Sequence, residues 1–336
     1  MLGIGLVSPK VKVFNFYQLF LGILSNNLRK GLISGVIGTI LIGFQPIIAI
    51  SAKTIDSHAF AAMTCLIEAI LFLPIMALES QINKRKVRVD TELKTNNSLL
   101  ANWKKYFWLL LFLGIIFSVN QLLFFVGYRL AGAINGSLTQ KTSVFFGLFY
   151  GFLLLKEKIS KIQIIFSIVL FSGLVIAITQ GSLDFLRLNI DILIGVVLIL
   201  LITALWMLGH TLTKQFFSRK DFTPTQMVFI RNVLSGFILI STFFIFSPNN
   251  LSVFYDPYNW FYFVLMGTVY GFGLFFWYKT LSYLDVSNAT IVLSPTPIVT
   301  AIFATLLLGD SFTIFHLIGS IIVICSIVII VKLKKE

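Results

Sequence analysis

The chain has 336 residues, of which 57% are hydrophobic and only 12% charged, and its formal net charge is +13. Soluble domains carry about 25% charged residues, so a soluble globular fold is excluded, and the 35 phenylalanines call for a surface solvated by lipid. The basic residues cluster between apolar runs, which reads as a topology signal and not as a nucleic-acid surface.

The stretch Val11 to Ser25 is apolar but carries Asn15 and Gln18 and is too short to span a bilayer. No small-residue cleavage site follows an apolar core near residue 25, so residues 1–30 read as a cytoplasmic or interfacial segment and not as a signal peptide. Ten runs of spanning length follow: 31–52, 59–79, 106–128, 133–155, 162–180, 191–213, 225–247, 259–282, 288–309 and 313–332. Unbroken apolar runs specify helices, because barrel strands alternate. With the N terminus inside, the outward segments hold only Lys53, Arg129 and Arg187. Lys141 and Arg231 lie within spans, and every other Lys and Arg falls inside. The predicted fold is therefore an all-α integral protein of the cell membrane with ten transmembrane helices and both termini cytoplasmic. Cys65 and Cys325 sit in apolar runs without metal or redox spacing, so no metal or other cofactor is expected.

The sequence repeats itself. Residues 135–157, NGSLTQKTSVFFGLFYGFLLLKE, are echoed at 288–310 by NATIVLSPTPIVTAIFATLLLGD. Each copy is preceded by a span ending in an aromatic stretch with a tyrosine, Tyr128 or Tyr278, and is followed by one last span. The halves cover 31–180 and 191–332. Five helices per half is an odd number, so the second half must enter the membrane from the opposite side. Two inverted five-helix repeats are a transporter design, with the solute held near midplane between them.

These residues carry a family resemblance. YKTLSYLDVSNATIVLSPTPIVTAIFATLLLGDSFTIFHLIGSIIVICSIVII, 278–330, resembles the closing part of an EamA-type repeat of the drug/metabolite transporter superfamily. ALWMLGHTLTKQF, 204–216, and FTPTQMVFIRNVLSGFILI, 222–240, are similar to its first two helices. The first half matches more loosely: Lys141–Thr142 stands in place of Ser294–Pro295, and Glu68 in place of Arg231. The resemblance implies a ten-helix carrier of amino acids, metabolites or nucleotide-linked solutes.

Ionisable groups inside spans are functional candidates because they cost at least about 2.5 kcal/mol to insert. Glu68 lies about 14 Å from the outer end of the second span, and Lys141 and Asn120 lie about 12 Å from the outer ends of the fourth and third. With Gln121 they form one level near midplane, expected to face the interior. Lys141 then reads as a solute anchor and Glu68 as its partner or a proton site; the alternative is a static ion pair. Arg231, about 9 Å deep, is expected to snorkel inward in a structural or gating role. His210 is expected to pack at the inner interface. Pro295 and Pro297 break the ninth span and free the carbonyls of Ile291 and Leu293 for neighbours or solute. Ser294 lies beside them, and Gln45–Pro46 is expected to break the first span similarly. Tyr270, Trp277 and Trp206 are candidate cavity walls by repeat position; Tyr270 matches Asn120, and Trp206 matches Gln45.

No HExxH, G-x-S-x-G or Walker A pattern is present. The leading function is a secondary transporter of a small metabolite, such as an amino or organic acid, working by alternating access with proton coupling or exchange. Its partners would be the solute, the lipid bilayer and protons; a homodimer stays open. The alternatives are a membrane-embedded enzyme or lipid-handling protein, or a sensor or scaffold that moves nothing.

Overall fold

A computed structural model describes residues 26–89, 102–155, 159–181, 189–284 and 286–332. The expected interfacial helix before residue 26 and most of the basic loop after the second span lie outside them. The described residues form twelve α-helices and no strand. In chain order they are α1 (Asn26–Ser51), α2 (Ser57–Val89), α3 (Phe107–Ala131), α4 (Ala133–Thr139), α5 (Ser143–Leu155) and α6 (Lys161–Thr179). They continue with α7 (Ile190–Arg219), α8 (Pro224–Phe246), α9 (Pro257–Tyr283), α10 (Val286–Val292), α11 (Thr296–Leu308) and α12 (Ile314–Lys332).

Local chemistry sets the boundaries. Ser160 with Gln163 and Thr223 with Gln226 form capping boxes that start α6 and α8, and Pro224 occupies the first turn of α8. Gly132, at φ 79°, makes the turn from α3 into α4. Among the described residues, eight helices are long and apolar enough to cross a membrane, the last being the joined stretch Ala289–Leu308, and α12 supplies a shorter apolar stretch, Ile314–Ile330.

Packing follows the small residues. The most extensive pairs are α1 with α9, α2 with α8, α3 with α7, and α6 with α12. A Cβ on Gly31 would meet the Leu284 side chain, and one on Gly195 of α7 would meet the backbone of Ala131. The α6–α12 crossing is equally close: a Cβ on Gly319 would stand 2.6 Å from the Gly173 carbonyl oxygen. Such backbone approach maximises dispersion contacts where lipid removes the hydrophobic drive between helices. Large apolar side chains such as Ile70, Phe152, Ile168, Phe237 and Leu306 point outward, where hydrocarbon solvates them.

Arg129 ties one end of the bundle. Its guanidinium donates to the carbonyls of Ala49 (3.2 Å), Ala52 (2.7 Å) and Ile55 (2.9 Å) and to Ser57 Oγ (2.7 Å). It thereby caps the C-terminal end of α1 and fixes the turn into α2.

Candidate solute cavity

Two helices are interrupted, and their junctions meet. At the junction of α10 and the first turn of α11 the chain lacks two amide donors, at Pro295 and Pro297. The freed Ile291 carbonyl takes the Ser294 amide at 3.0 Å. The freed Leu293 carbonyl takes the Thr296 amide (3.1 Å) and hydroxyl (2.5 Å), and also the Lys141 ammonium at 2.7 Å, from a residue 152 positions away.

Lys141 itself sits in a 3₁₀ turn, Gln140–Thr142, between α4 and α5. The expectation of one continuous helix over 133–155 is thus corrected. Thr139 Oγ1 returns to Asn135 O (2.7 Å) and Thr142 Oγ1 to Thr139 O (2.9 Å), and such back-bonding bends a helix without any proline. The opposite correction applies to Gln45–Pro46: α1 stays helical through both residues, which are buried against its neighbours.

A cavity of about 90 Å³ opens at these junctions. Of the residues singled out from sequence, Lys141, Gln45, Trp206, Tyr270, Trp277, Arg231 and His210 line it. Arg231 does not snorkel: it is 3% exposed, with its guanidinium 3.9 Å from the Phe117 ring centre. His210 is likewise internal, its ring 5.6 Å from Phe117, 5.6 Å from Trp277 and 5.7 Å from Tyr278. Both were expected at an interface because depth was counted from a span's end, whereas an aromatic cage holds them inside.

Glu68, Asn120 and Gln121 are wholly buried, as expected of interior groups, but they lie in the packed layer and not on the cavity wall. Asn232 Nδ2 donates to Glu68 Oε2 at 2.7 Å, and Glu68 is within electrostatic reach of Arg231. Among the described residues no ion pair joins Glu68 to Lys141. The ammonium found a proline-freed carbonyl, and the carboxylate found α8. Ser294, Pro295 and Pro297 are off the wall too and act on the cavity by shaping the junction.

Leu274, Thr203 and Met207 also line the cavity and were missed. Helical period would have found them: 270, 274 and 277 share one face of α9, and 203, 206, 207 and 210 one face of α7. Among the described residues the wall therefore carries two basic side chains, Lys141 and Arg231, beside His210, and no carboxylate. Its remainder is aromatic, aliphatic, amide and hydroxyl.

The two ends of the interrupted helices are not equally closed. α4 packs more extensively on α11 than α5 does on α10. At the α4 end, His316 Nε2 stands 3.3 Å from Asn135 Oδ1 and 3.0 Å from Gln180 Nε2. No role was assigned to His316 from sequence; the polar spacing of Asn135, Gln180 and Thr313 around it emerges only when α4, α6 and α12 meet.

With this geometry, comparison with known proteins is informative. The EamA-like transporter family matches residues 29–179 and again residues 193–332. The chain belongs to the EamA-like transporter family. It is a multi-pass membrane protein and a transporter in the general sense of that family. The uncharacterized transporter YyaM of Bacillus subtilis (strain 168) is 26% identical over 219 residues, covering 64% of this chain and 70% of that protein. A solved crystal structure with 11% identity covers 91% of this chain and 98% of its own, at a TM-score of 0.63, and so shares the fold alone.

Proposed function

We propose that this EamA-like protein is a secondary carrier, not an enzyme, that moves a small anionic or zwitterionic metabolite, such as an amino or organic acid, by alternating access. The observation that carries the reading is a cavity at two interrupted helices whose lining, among the described residues, holds the basic side chains Lys141 and Arg231 and no carboxylate. A carboxylate or phosphate supplies what these donors require, since buried charge must be paired.

Alternating access in this reading rests on ten spans arranged as inverted repeats, 31–180 and 191–332. The packing supports it. The pairing of α1 with α9 has its image in α7 with α3, while α2 with α8 and α6 with α12 are their own images. The interrupted helices correspond end for end: 133 to 286, 139 to 292, 143 to 296 and 155 to 308. Both termini are placed in the cytoplasm of a cell-membrane protein by the lysine and arginine bias. Glu68, behind Arg231, is the candidate proton site: its protonation would unmask the Arg231 charge, while its ionisation offsets it. Solute exchange without protons is the other coupling scheme.

Thermal-shift screening of detergent-purified protein against amino acids, organic acids, phosphates and amines tests the site. Anionic members are expected to raise the melting temperature of the wild type, and Lys141→Ala is expected to lose that shift. Stabilisation by amines alone, or an equal anion shift in both proteins, would place the solute elsewhere.

A further inference from the structure

The Lys141–Leu293 bond joins the two halves, and it is asymmetric. The repeat position of Lys141 is Ser294, and that of Leu293 is Gln140. If the halves exchanged conformations, as alternating access requires, the image of this bond would have to run from Ser294 to Gln140. A serine hydroxyl lacks the four-carbon arm of lysine, so the image bond cannot reproduce the tie. Among the described residues, Gln140 meets Tyr128 (3.1 Å) and the Ser143 amide, and no bond joins it to Ser294. The tie therefore stabilises one conformation only, the one in which α4 and α11 are closed together. Its donor, 6% exposed and on the cavity wall, is also the group a solute anion would take.

Resting on the carrier reading above, we infer that Lys141 is a conformational lock as well as an anchor. In the empty carrier its ammonium holds the Leu293 carbonyl and biases the protein toward closure at the α4–α11 end. A bound anion takes the ammonium, releases Leu293 and frees the halves to exchange. Loaded carrier then reorients faster than empty carrier, which makes the protein an exchanger before it is a net transporter. A ligand can shift such an equilibrium only through a contact that differs between the states, and this bond is that contact. Pro297 takes part because it withholds the i+4 amide that would compete with Lys141 for the Leu293 carbonyl, which Thr296 also serves.

The test uses no solute. A Thr203→Cys substitution puts a single thiol on the cavity wall in a background of Cys65→Ala and Cys325→Ala, and the protein is reconstituted in liposomes. An impermeant thiol reagent is then applied from the α4–α11 side. Lys141→Met is expected to raise the labelling rate about tenfold, the worth of one charge-assisted hydrogen bond. Pro297→Ala, which keeps the ammonium but adds a helical amide that competes with it for the Leu293 carbonyl, is expected to raise it severalfold, and Lys141→Arg to stay within twofold of the parent. Should Lys141→Met not fold, Pro297→Ala decides. Parental rates in both variants overturn the lock and leave the anchor standing. No labelling from that side in any variant, with the introduced thiol reactive after solubilisation, overturns the lock and the alternating-access reading together.

Discussion

Arg231→Met is expected to destabilise the protein by about 3 kcal/mol and to abolish anion binding. Arg231 and Glu68 are both buried and within electrostatic reach, though not in direct contact. Removing the cation leaves the carboxylate with one amide partner, Asn232 Nδ2, and no opposing charge. The double variant Glu68→Gln, Arg231→Met removes both charges and is expected to regain most of the lost stability, because the uncompensated charge and not the missing packing dominates. It is not expected to regain binding, since the cavity still lacks one of its two cations. Melting in detergent, with and without an anionic ligand, reads both effects. A single variant as stable as wild type would contradict the coupling, and a double variant that binds anions normally would remove Arg231 from the site.

Arg129→Ala is expected to cost about 3 kcal/mol through a different mechanism. The wild-type guanidinium serves three carbonyls and one hydroxyl at the end of α1. Without it the Ala52 oxygen keeps the Ile55 amide at 3.1 Å, but Ala49 and Ile55 lose a charged donor. Arg129→Lys is expected to recover less than half of the loss, because one ammonium cannot fan out over four acceptors. Chemical denaturation or melting of the two variants checks this. Equal stability of the lysine variant and wild type would mean that charge at the helix terminus, and not the fork of donors, is what matters.

Much of this architecture was legible before any coordinates. Long apolar runs placed most helices, and the echo of NGSLTQ in NATIVL is the basis of the repeat on which the carrier reading rests. The proline pair predicted a freed carbonyl at Leu293, and the structure has it. The predicted partner of that carbonyl was left open between neighbour and solute; Thr296 and Lys141 both donate to it. The break at Gln140–Thr142 has no proline to announce it, only a run of hydroxyl and amide residues whose side chains compete for backbone carbonyls. Depth along a helix was readable at about 1.5 Å per residue, but the direction of each side chain around the axis was not. Hence Glu68, Asn120 and Gln121 are buried inside as expected yet lie behind the wall, while Arg231 and His210, thought to be interfacial, are on it. Such facts depend on which helix packs against which, and only the contacts of α2 with α8 and α3 with α7 decide them.

Uptake by proteoliposomes tests the central claim most directly. Wild type and Lys141→Met would be reconstituted and assayed with the anions found by thermal shift, with a hydrophobic amine as control, under an imposed proton gradient and with the same solute preloaded. The carrier account predicts anion uptake by wild type, faster with preloaded solute, and a loss of at least about tenfold in Lys141→Met. Amine uptake without anion uptake, or equal anion uptake by the two proteins, would contradict it.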